Sequence, residues 1–178
     1  MRVEIQPIED ALHPGQTKVL REAGRFNVLE CGRRFGKTHL GIQLAIDRAI
    51  DGGEVGWFAP TYRYLADPWR DIEKILGPVI AKTDRVEKRL DLISGGTLDF
   101  WSLDNIDAGR GRRYDRIVID EAGIVRDLGP AWQETLRATL ADRQGDAWFL
   151  GTPKGRSFFH RCFERGQIGD GGWKSWRL

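Results

Sequence analysis

The chain has few cysteines, little net charge and no long apolar segment. Its two cysteines, Cys31 and Cys162, do not suggest a disulfide framework in 178 residues, so a reduced, intracellular protein is expected. Three histidines and two cysteines show no spacing typical of a zinc site. A net charge of +2 gives no global signature of polyanion binding. No apolar run approaches the length that spans a bilayer, so a membrane protein is not expected.

Basic residues are nevertheless concentrated in two places. Residues 151–178 contain six Lys or Arg against two Asp or Glu, a local excess of four. A second basic cluster consists of Arg110, Arg112, Arg113 and Arg116. Both clusters are candidates for contact with DNA. The length fits one domain, and seven Trp and eight Phe supply large groups for its core.

A glycine-containing loop at residues 31–38 carries the clearest chemical signal. It reads Cys-Gly-Arg-Arg-Phe-Gly-Lys-Thr, between a strand pattern and a helix pattern. Such a loop directs backbone N–H groups and a helix N-terminus at a phosphate chain. The usual P-loop pattern is Gly-x-x-x-x-Gly-Lys-[Ser/Thr], and Cys31 occupies the position of the first glycine. The loop therefore predicts phosphate binding, with one departure at the start of the turn.

A short strand pattern that ends in two acids supplies the second half of the site. Residues 116–121 read Arg-Ile-Val-Ile-Asp-Glu. In nucleotide hydrolases the first acid holds Mg²⁺, directly or through water, while the second orients and polarises an attacking water. The alternative is that Asp120 and Glu121 only cap a helix and interact with its dipole. Loop and acids together, in this order, predict a Mg²⁺-dependent ATPase.

These motifs assign roles to individual residues. Lys37 is expected at the β- and γ-phosphates, the Thr38 hydroxyl and Asp120 at Mg²⁺, and Glu121 as the catalytic carboxylate. The predicted nucleotide-binding loop residues are Gly32, Arg33, Arg34, Phe35, Gly36, Lys37 and Thr38.

Four further assignments have both a functional and a structural interpretation. Arg33 either contacts the γ-phosphate or Glu121, as a catalytic arginine, or is solvated, and Arg34 has the same ambiguity. Thr152 is either a γ-phosphate sensor at a strand end or a cap of the following turn. Gln16 either reads the adenine edge with its amide or lies on a helix surface.

Arg110 has three interpretations. It stands between Gly109 and Gly111, which predicts a mobile, exposed loop. Such an arginine can enter a neighbour's site and stabilise transition-state charge, contact a DNA phosphate, or remain solvated.

Strand and helix patterns alternate along the chain. The predicted strands are 28–31, 55–59, 117–119 and 147–150, and the predicted helices are 13–23, 38–50, 68–76, 130–141 and 155–165, with Asp67 as an N-cap. The runs 86–93 and 97–102 predict a β-hairpin. The fold class is therefore α/β, with three layers, a mostly parallel central sheet and a β-hairpin insertion. With the loop and the two acids, this pattern resembles the P-loop NTPases of the RecA-like (ASCE) type. Residues 167–178 show no clear element.

Taken in chain order, the motifs resemble the N-terminal ATPase domain of the large terminase subunit of tailed bacteriophages. The segment 13–16 resembles that family's adenine-contacting segment, and 32–38 its deviant Walker A motif. Residues 58–61 resemble the helicase-like motif that follows. Arg110-Gly111 with residues 117–122 resembles the Arg-Gly and Walker B segment, and 151–155 the coupling motif. RecA-like helicases share some of these motifs.

This resemblance implies a molecular motor that hydrolyses ATP to translocate double-stranded viral DNA into a procapsid. Its expected partners are DNA, the portal protein and a small terminase subunit. The expected assembly is a homo-oligomeric ring on the portal in the host cytoplasm, or a monomer in isolation. Arg110 matches the family's trans-acting arginine finger, with Arg33 as the alternative. Residues 1–166 are expected to form the motor domain and 167–178 the start of a linker to a C-terminal nuclease domain, so no nuclease activity is expected here.

Other functions fit the sequence less well. A helicase needs a second RecA-like domain, for which the remaining residues leave no room. A GTPase needs an Asn-Lys-x-Asp segment and a nucleotide kinase needs a lid, and neither is found in the sequence. The alternative from another class is a nucleotide-gated assembly module that binds ATP but does not hydrolyse it as a monomer.

Overall fold

An eight-stranded sheet forms the centre of the molecule in a computed structural model that describes residues 6–178. The first five residues of the predicted motor domain lie outside the described part. The strands are β1 (Phe26–Glu30), β2 (Glu54–Ala59), β3 (Ile80–Asp84), β4 (Arg89–Leu92), β5 (Thr97–Ser102), β6 (Arg116–Ile119), β7 (Asp146–Gly151) and β8 (Trp173–Arg177).

The strand order is β3-β4-β5-β2-β6-β7-β1-β8. All pairings from β5 to β8 are parallel, whereas β4 pairs antiparallel with both β3 and β5. The parallel strands therefore end at one common edge, which we call the carboxyl edge. It contains the residues that follow β1, β2, β6 and β7, where ligands bind in open α/β sheets.

Helices cover both faces of the sheet. They are α1 (Pro14–Glu22), α2 (Lys37–Ile50), α3 (Ala66–Leu76), α4 (Leu128–Ala131), α5 (Arg137–Thr139) and α6 (Phe158–Ile168), and a π-helical turn, Trp132–Leu136, joins α4 to α5. Side chains alternate between the two faces along each strand. Leu29 and Trp57 pack into one core with α2 and α3, whereas Val28 and Phe58 pack into the other with α4 and α6. These observations confirm the predicted three-layer α/β fold class.

The predicted hairpin insertion is also confirmed, although it is larger than expected. Strands β4 and β5 pair antiparallel around Ser94-Gly95-Gly96. Val86, predicted as part of a strand, lies instead in an exposed turn before β4. That turn joins β4 to β3, an additional strand that the sequence analysis did not predict.

Three helix starts were placed wrongly. Asp67 is not an N-cap: α3 begins at Ala66 after a 3₁₀ turn, Tyr62–Leu65, and Asp67 forms an ion pair with Arg70 instead. Helix α6 begins at Phe158 and not at residue 155, because the Ser157 hydroxyl caps it by accepting from the His160 amide. The helical run predicted from residue 130 begins two residues earlier, at the start of α4.

The expectation of no regular element in 167–178 is wrong. Trp173–Arg177 forms β8, which pairs parallel with β1 along its whole length. Gly169, Gly171 and Gly172 have positive φ values and let the chain turn back after α6. Trp173 is then buried against Phe26 and Trp132. The segment predicted to start a linker thus completes the sheet.

None of the helices in residues 6–178 combines the length and apolar character needed to span a membrane.

Candidate functional site

The predicted phosphate-binding loop, residues 31–38, connects β1 to the first turn of α2 at the carboxyl edge of the sheet. It is called the P-loop below. Gly36 precedes the helix with a φ of +83°, and a Cβ there would lie only 2.8 Å from Nε2 of Gln16. Glycine is therefore required at this position. Cys31 is not among the positive-φ residues, and its amide donates to the Gly151 carbonyl at 3.1 Å. The first position of the loop thus tolerates a side chain, which explains the departure from the usual pattern.

The side chain of Lys37 lies inside the loop. Its Nζ donates to the backbone carbonyls of Cys31 and Gly32 at 3.3 and 3.2 Å, and the residue is only 7% exposed. No carboxylate in residues 6–178 forms an ion pair with it. A buried ammonium held by two neutral carbonyls can gain further interaction energy from an anion. This environment suits a phosphate chain.

Thr38 and Asp120 meet across 82 residues of sequence. The Thr38 hydroxyl, on the first turn of α2, lies 3.2 and 3.1 Å from the two carboxylate oxygens of Asp120, which follows β6. Burial raises the pKa of Asp120 to about 6, and the neighbouring Glu121 adds to the rise. Hydrogen bonds from Thr38 and the Glu121 amide, together with Lys37, oppose it.

This pair fits the ligand set for Mg²⁺. A hydroxyl and a carboxylate oxygen are hard donors, and in P-loop enzymes they share the ion with phosphate oxygens and water. Within residues 6–178 no group of three or more His, Cys, Asp or Glu side chains converges on one point. A site of one threonine and one aspartate needs no such group, because the protein supplies only part of the coordination shell.

Glu121 is held in an unusual backbone conformation. Its φ of 51° and ψ of 39° are left-handed, a region that non-glycine residues seldom adopt, and such strain is typical of functional sites. The residue precedes a 3₁₀ turn, Ala122–Ile124, but its side chain makes no capping hydrogen bond. The helix-cap interpretation of Glu121 therefore finds no support in its contacts.

Most of the predicted residues line one cavity of about 660 Å³. From the predicted set it contains Arg33, Arg34, Gly36, Lys37, Thr38, Glu121 and Thr152. Asp120 borders an adjoining cavity of about 650 Å³ that shares Thr38 and Glu121. Arg33 and Arg34 are both exposed and form no ion pair within residues 6–178. The first cavity thus combines four elements: the P-loop, the end of β6, the end of β7 and the turn before α3.

Gln16 lies outside this cavity, behind the P-loop. It is 1% exposed, and its Nε2 donates to the carbonyls of Gly36 and Phe35 at 2.9 and 3.4 Å. Its Oε1 accepts from the His13 amide at 3.1 Å. The amide therefore supports the loop in this structure, and contact with adenine stays a prediction that requires it to exchange partners.

Arg110 is also outside the first cavity. It is exposed, forms an ion pair with Asp107, and lines a separate cavity of about 330 Å³ against the π-helical turn and α5. No contact within residues 6–178 brings it towards Glu121. Its predicted action on a neighbouring subunit stays a prediction.

Five residues of the cavity were not predicted as site residues: His39, Tyr64, Ile124, Pro153 and Lys154. Tyr64 follows the Phe58-Ala59-Pro60-Thr61 motif at the end of β2, and Lys154 follows Thr152. Their positions just after parallel strands are the signal that would have identified them, because those strand ends share one edge.

Comparison with known proteins agrees with this fold and motif order. No protein-family model matches the chain. It is 29% identical over 146 residues to the large terminase subunit of Escherichia phage T5, covering 80% of this chain and 33% of that protein. It is 27% identical over 187 residues to the large terminase subunit of Thermus phage G20c, covering 88% and 37%. The predicted resemblance to large terminase subunits is confirmed.

Solved structures show the same fold. The large terminase ATPase domain of Thermus phage P74-26 superimposes with a TM-score of 0.75 at 23% identity, covering 93% of this chain and 80% of that one. The mostly parallel eight-stranded sheet thus matches the fold of that terminase ATPase domain. The chain spans about a third of the length of the curated large terminase subunits that it matches.

Proposed function

We propose that this chain is a Mg²⁺-dependent ATPase that powers the translocation of double-stranded DNA into a viral procapsid. The observation that carries the ATPase part is the contact of the Thr38 hydroxyl with both oxygens of Asp120, beside Lys37 and Glu121. Two elements far apart in sequence thereby assemble a phosphate loop, a hard metal-ligand pair and the carboxylate of Glu121 around two adjoining cavities. The similarity to large terminase subunits supports the packaging role.

Each side chain has a defined task in this proposal. Lys37 gives up its bonds to two loop carbonyls and donates to the phosphates of ATP. Glu121 orients the attacking water and accepts its proton, while Arg33 stabilises charge that develops on the γ-phosphate. Thr38 and Asp120 hold Mg²⁺, which neutralises phosphate charge when bound. Thr152, at the end of β7, is positioned to respond to the loss of the γ-phosphate.

The remaining partners follow from the relatives and belong to the proposal. Because the chain corresponds to about a third of those proteins, we assign it the motor and not the nuclease function. Its proposed partners are DNA, the portal protein and a small terminase subunit, in the host cytoplasm. We expect no DNA cleavage by residues 1–178.

Substitution of Glu121 tests the catalytic assignment. Glu121→Gln should bind ATP with near wild-type affinity but lose about 10²–10⁴-fold in turnover, the contribution typical of a general base. Phosphate release and equilibrium ATP binding are measured on the same preparation. Glu87→Gln, in the exposed turn before β4, is the matched control and should retain wild-type turnover. Wild-type turnover in Glu121→Gln would remove this residue from the mechanism.

The position of Arg110 favours an ATPase site that is completed by Arg110 of a neighbouring subunit. The side chain lies outside the cavity of its own chain and is paired with Asp107. A monomer would then bind ATP and hydrolyse it slowly, which is the behaviour of the assembly-module alternative. Specific activity that rises with protein concentration supports a trans arginine. Flat, appreciable activity supports Arg33 as the finger and a helicase-like monomer.

Mixing two inactive variants provides a sharper test of Arg110. Arg110→Ala has an intact site but no finger, whereas Glu121→Gln has a finger but an inactive site. If Arg110 acts in trans, the mixture should hydrolyse ATP faster than either variant alone. If mixing never raises the rate, Arg110 has a different role.

A further inference from the structure

A carboxylate is buried at the point where β1 enters the P-loop. Glu30 is 0% exposed, and none of the nucleotide roles above uses it. Nε and Nη2 of Arg177, on β8, both donate to its Oε2 at 3.1 and 2.7 Å. Nδ1 of His160, on α6, lies 3.4 Å from its Oε1. Two separate elements, β8 and α6, thus converge on the last residue before the loop.

Backbone hydrogen bonds also attach the first turn of the P-loop to Leu178, the residue that follows β8. The Gly32 amide donates to the Leu178 carbonyl at 3.3 Å, and the Leu178 amide donates to the Glu30 carbonyl at 3.1 Å. On the opposite side, the Cys31 amide donates to Gly151 of β7. The Gly32 amide is therefore occupied in this structure by Leu178, the residue after β8, and its predicted contact with a phosphate requires it to exchange partners.

The guanidinium of Arg177 is fixed by more than its charge. Its central carbon lies 4.5 Å from the ring centroid of Phe163 on α6, within cation–π distance. The planar group thus contacts the ring of Phe163 as well as the carboxylate of Glu30. The Arg177 side chain is 58% exposed, and an ion pair with one solvent-exposed partner is a weak source of net stability. A well-fixed pair at this position is better explained by the geometry that it imposes on the loop.

Cys31 and Gly32, which these backbone hydrogen bonds hold in place, also bind the side chain of Lys37. Nζ of Lys37 donates to the carbonyls of Cys31 and Gly32, the two residues that follow Glu30. A displacement of β8 would move Gly32 and with it one acceptor of the lysine. The position of the ammonium group therefore depends on the contact between β1 and β8.

We propose that Glu30 and Arg177 are positioning residues that hold the first turn of the P-loop against β8 and thereby set its affinity for nucleotide. The part of this inference that concerns affinity rests on the proposed function. The part that concerns loop order does not, because it is measurable without ATP.

Hydrogen–deuterium exchange in the absence of nucleotide tests loop order directly. In Arg177→Met, peptides covering residues 31–36 should exchange about tenfold faster than in the wild type, since amide protection follows local opening. Arg165→Met is the matched control, because Arg165 also pairs with an acid, Asp170, and contacts the ring of Trp173. It should leave exchange in 31–36 unchanged. Equal exchange in the wild type and Arg177→Met would overturn the proposal.

A double variant separates positioning from the cost of an unpaired buried charge. Arg177→Met alone leaves the Glu30 carboxylate without its main partner, whereas Glu30→Gln/Arg177→Met removes both charges and should recover melting temperature. The proposal expects the double variant to keep fast loop exchange and a roughly tenfold weaker Kd for Mg²⁺·ATP. Arg177→Lys should partly restore both. If the double variant instead recovered wild-type loop exchange, ATP affinity and melting temperature, the Glu30–Arg177 pair would contribute to stability only and would have no positioning role.

The two proposals fail differently. If the wild type does not bind ATP, the proposed function fails, while loop exchange in Arg177→Met still decides whether the pair orders the loop. If the wild type binds ATP and both Arg177→Met and the double variant bind it equally well, the proposed function stands and the claim that the pair sets nucleotide affinity is refuted.

Discussion

The two edges of the parallel sheet use arginine in opposite ways. At the amino edge, where the parallel strands begin, Arg116 forms an ion pair with Asp146, and Arg143 pairs with both Glu54 and Asp115. At the carboxyl edge, Arg33 and Arg34 form no ion pair within residues 6–178. The same applies to Arg63, Arg126, Lys154 and Arg156.

We infer from this difference that the arginines of the amino edge stabilise the fold, whereas the cations of the carboxyl edge bind a ligand. Cations that lie near one another repel unless an anion is supplied, and at the amino edge the chain supplies it. At the carboxyl edge, the six cations named above pair with no carboxylate of residues 6–178. The acids at this edge are Glu30, which is paired with Arg177, and Asp120 and Glu121. A phosphate chain would complete this edge. Substitutions at the carboxyl edge should therefore act on nucleotide affinity, and those at the amino edge on stability.

The largest expected effect is the loss of nucleotide affinity in Lys37→Ala. The ammonium is buried and would make charge-assisted bonds to phosphate, so its removal should weaken Mg²⁺·ATP binding about hundredfold. Isothermal titration calorimetry measures this change, and circular dichroism verifies folding. Unchanged affinity in a folded Lys37→Ala chain would refute the assignment of the P-loop.

Arg116→Met should show the reverse behaviour at the amino edge. The Arg116 side chain is 13% exposed, and it donates to both oxygens of Asp146 and to the Leu44 carbonyl. Breaking this partly buried pair should lower the free energy of unfolding by about 2 kcal/mol. ATP affinity should stay within about twofold of the wild type. Urea unfolding and calorimetry on one preparation measure both quantities, and a large loss of affinity would contradict the division between the edges.

The smallest effect concerns the two buried cysteines, Cys31 at the start of the P-loop and Cys162 on α6. Burial raises the pKa of Cys31 to about 11 and that of Cys162 to about 12. Both thiols should be protonated at pH 8 in the folded chain and react slowly with iodoacetamide, whereas unfolding in urea should expose them with pKa values of about 8.5. Because the folded state holds these protons more tightly, their contribution to stability should decline as pH rises from about 8.5 towards 11.

Mass spectrometry of alkylated protein checks this prediction. Rapid labelling of Cys31 in the folded chain at pH 8 would show that the start of the P-loop opens readily. That result would also weaken the inference that Glu30 and Arg177 hold this turn.

Residues with local motifs could be predicted from the sequence. Lys37, Thr38, Asp120 and Glu121 each stand at the end of a strand pattern or the start of a helix pattern. Because parallel strands end at one edge, their convergence followed from the fold class alone. Six of the eight strands in the described residues and most of the helices were predictable for a related reason, since their buried residues recur with a regular period.

The contacts that support the loop were not predictable in this way. Gln16 has its partner at Gly36, and Glu30 has its partner at Arg177, but neither pairing leaves a periodic signal. Which buried polar group meets which depends on tertiary packing and not on local pattern. Strand β8 was missed for a similar reason: the segment 167–178 showed no clear element and was interpreted as the start of a linker, while its position is fixed by pairing with β1.

The most direct test of the account compares the effects of Mg²⁺·ATP and Mg²⁺ with adenosine on the thermal unfolding of the wild-type chain. If the carboxyl edge is a phosphate site, saturating ATP should raise the melting temperature, by an amount that corresponds to about 2.7 kcal/mol at a hundredfold excess over Kd. Adenosine at the same concentration should have little effect, because it lacks the phosphates. Equal stabilisation by both ligands, or by neither, would contradict the central claim.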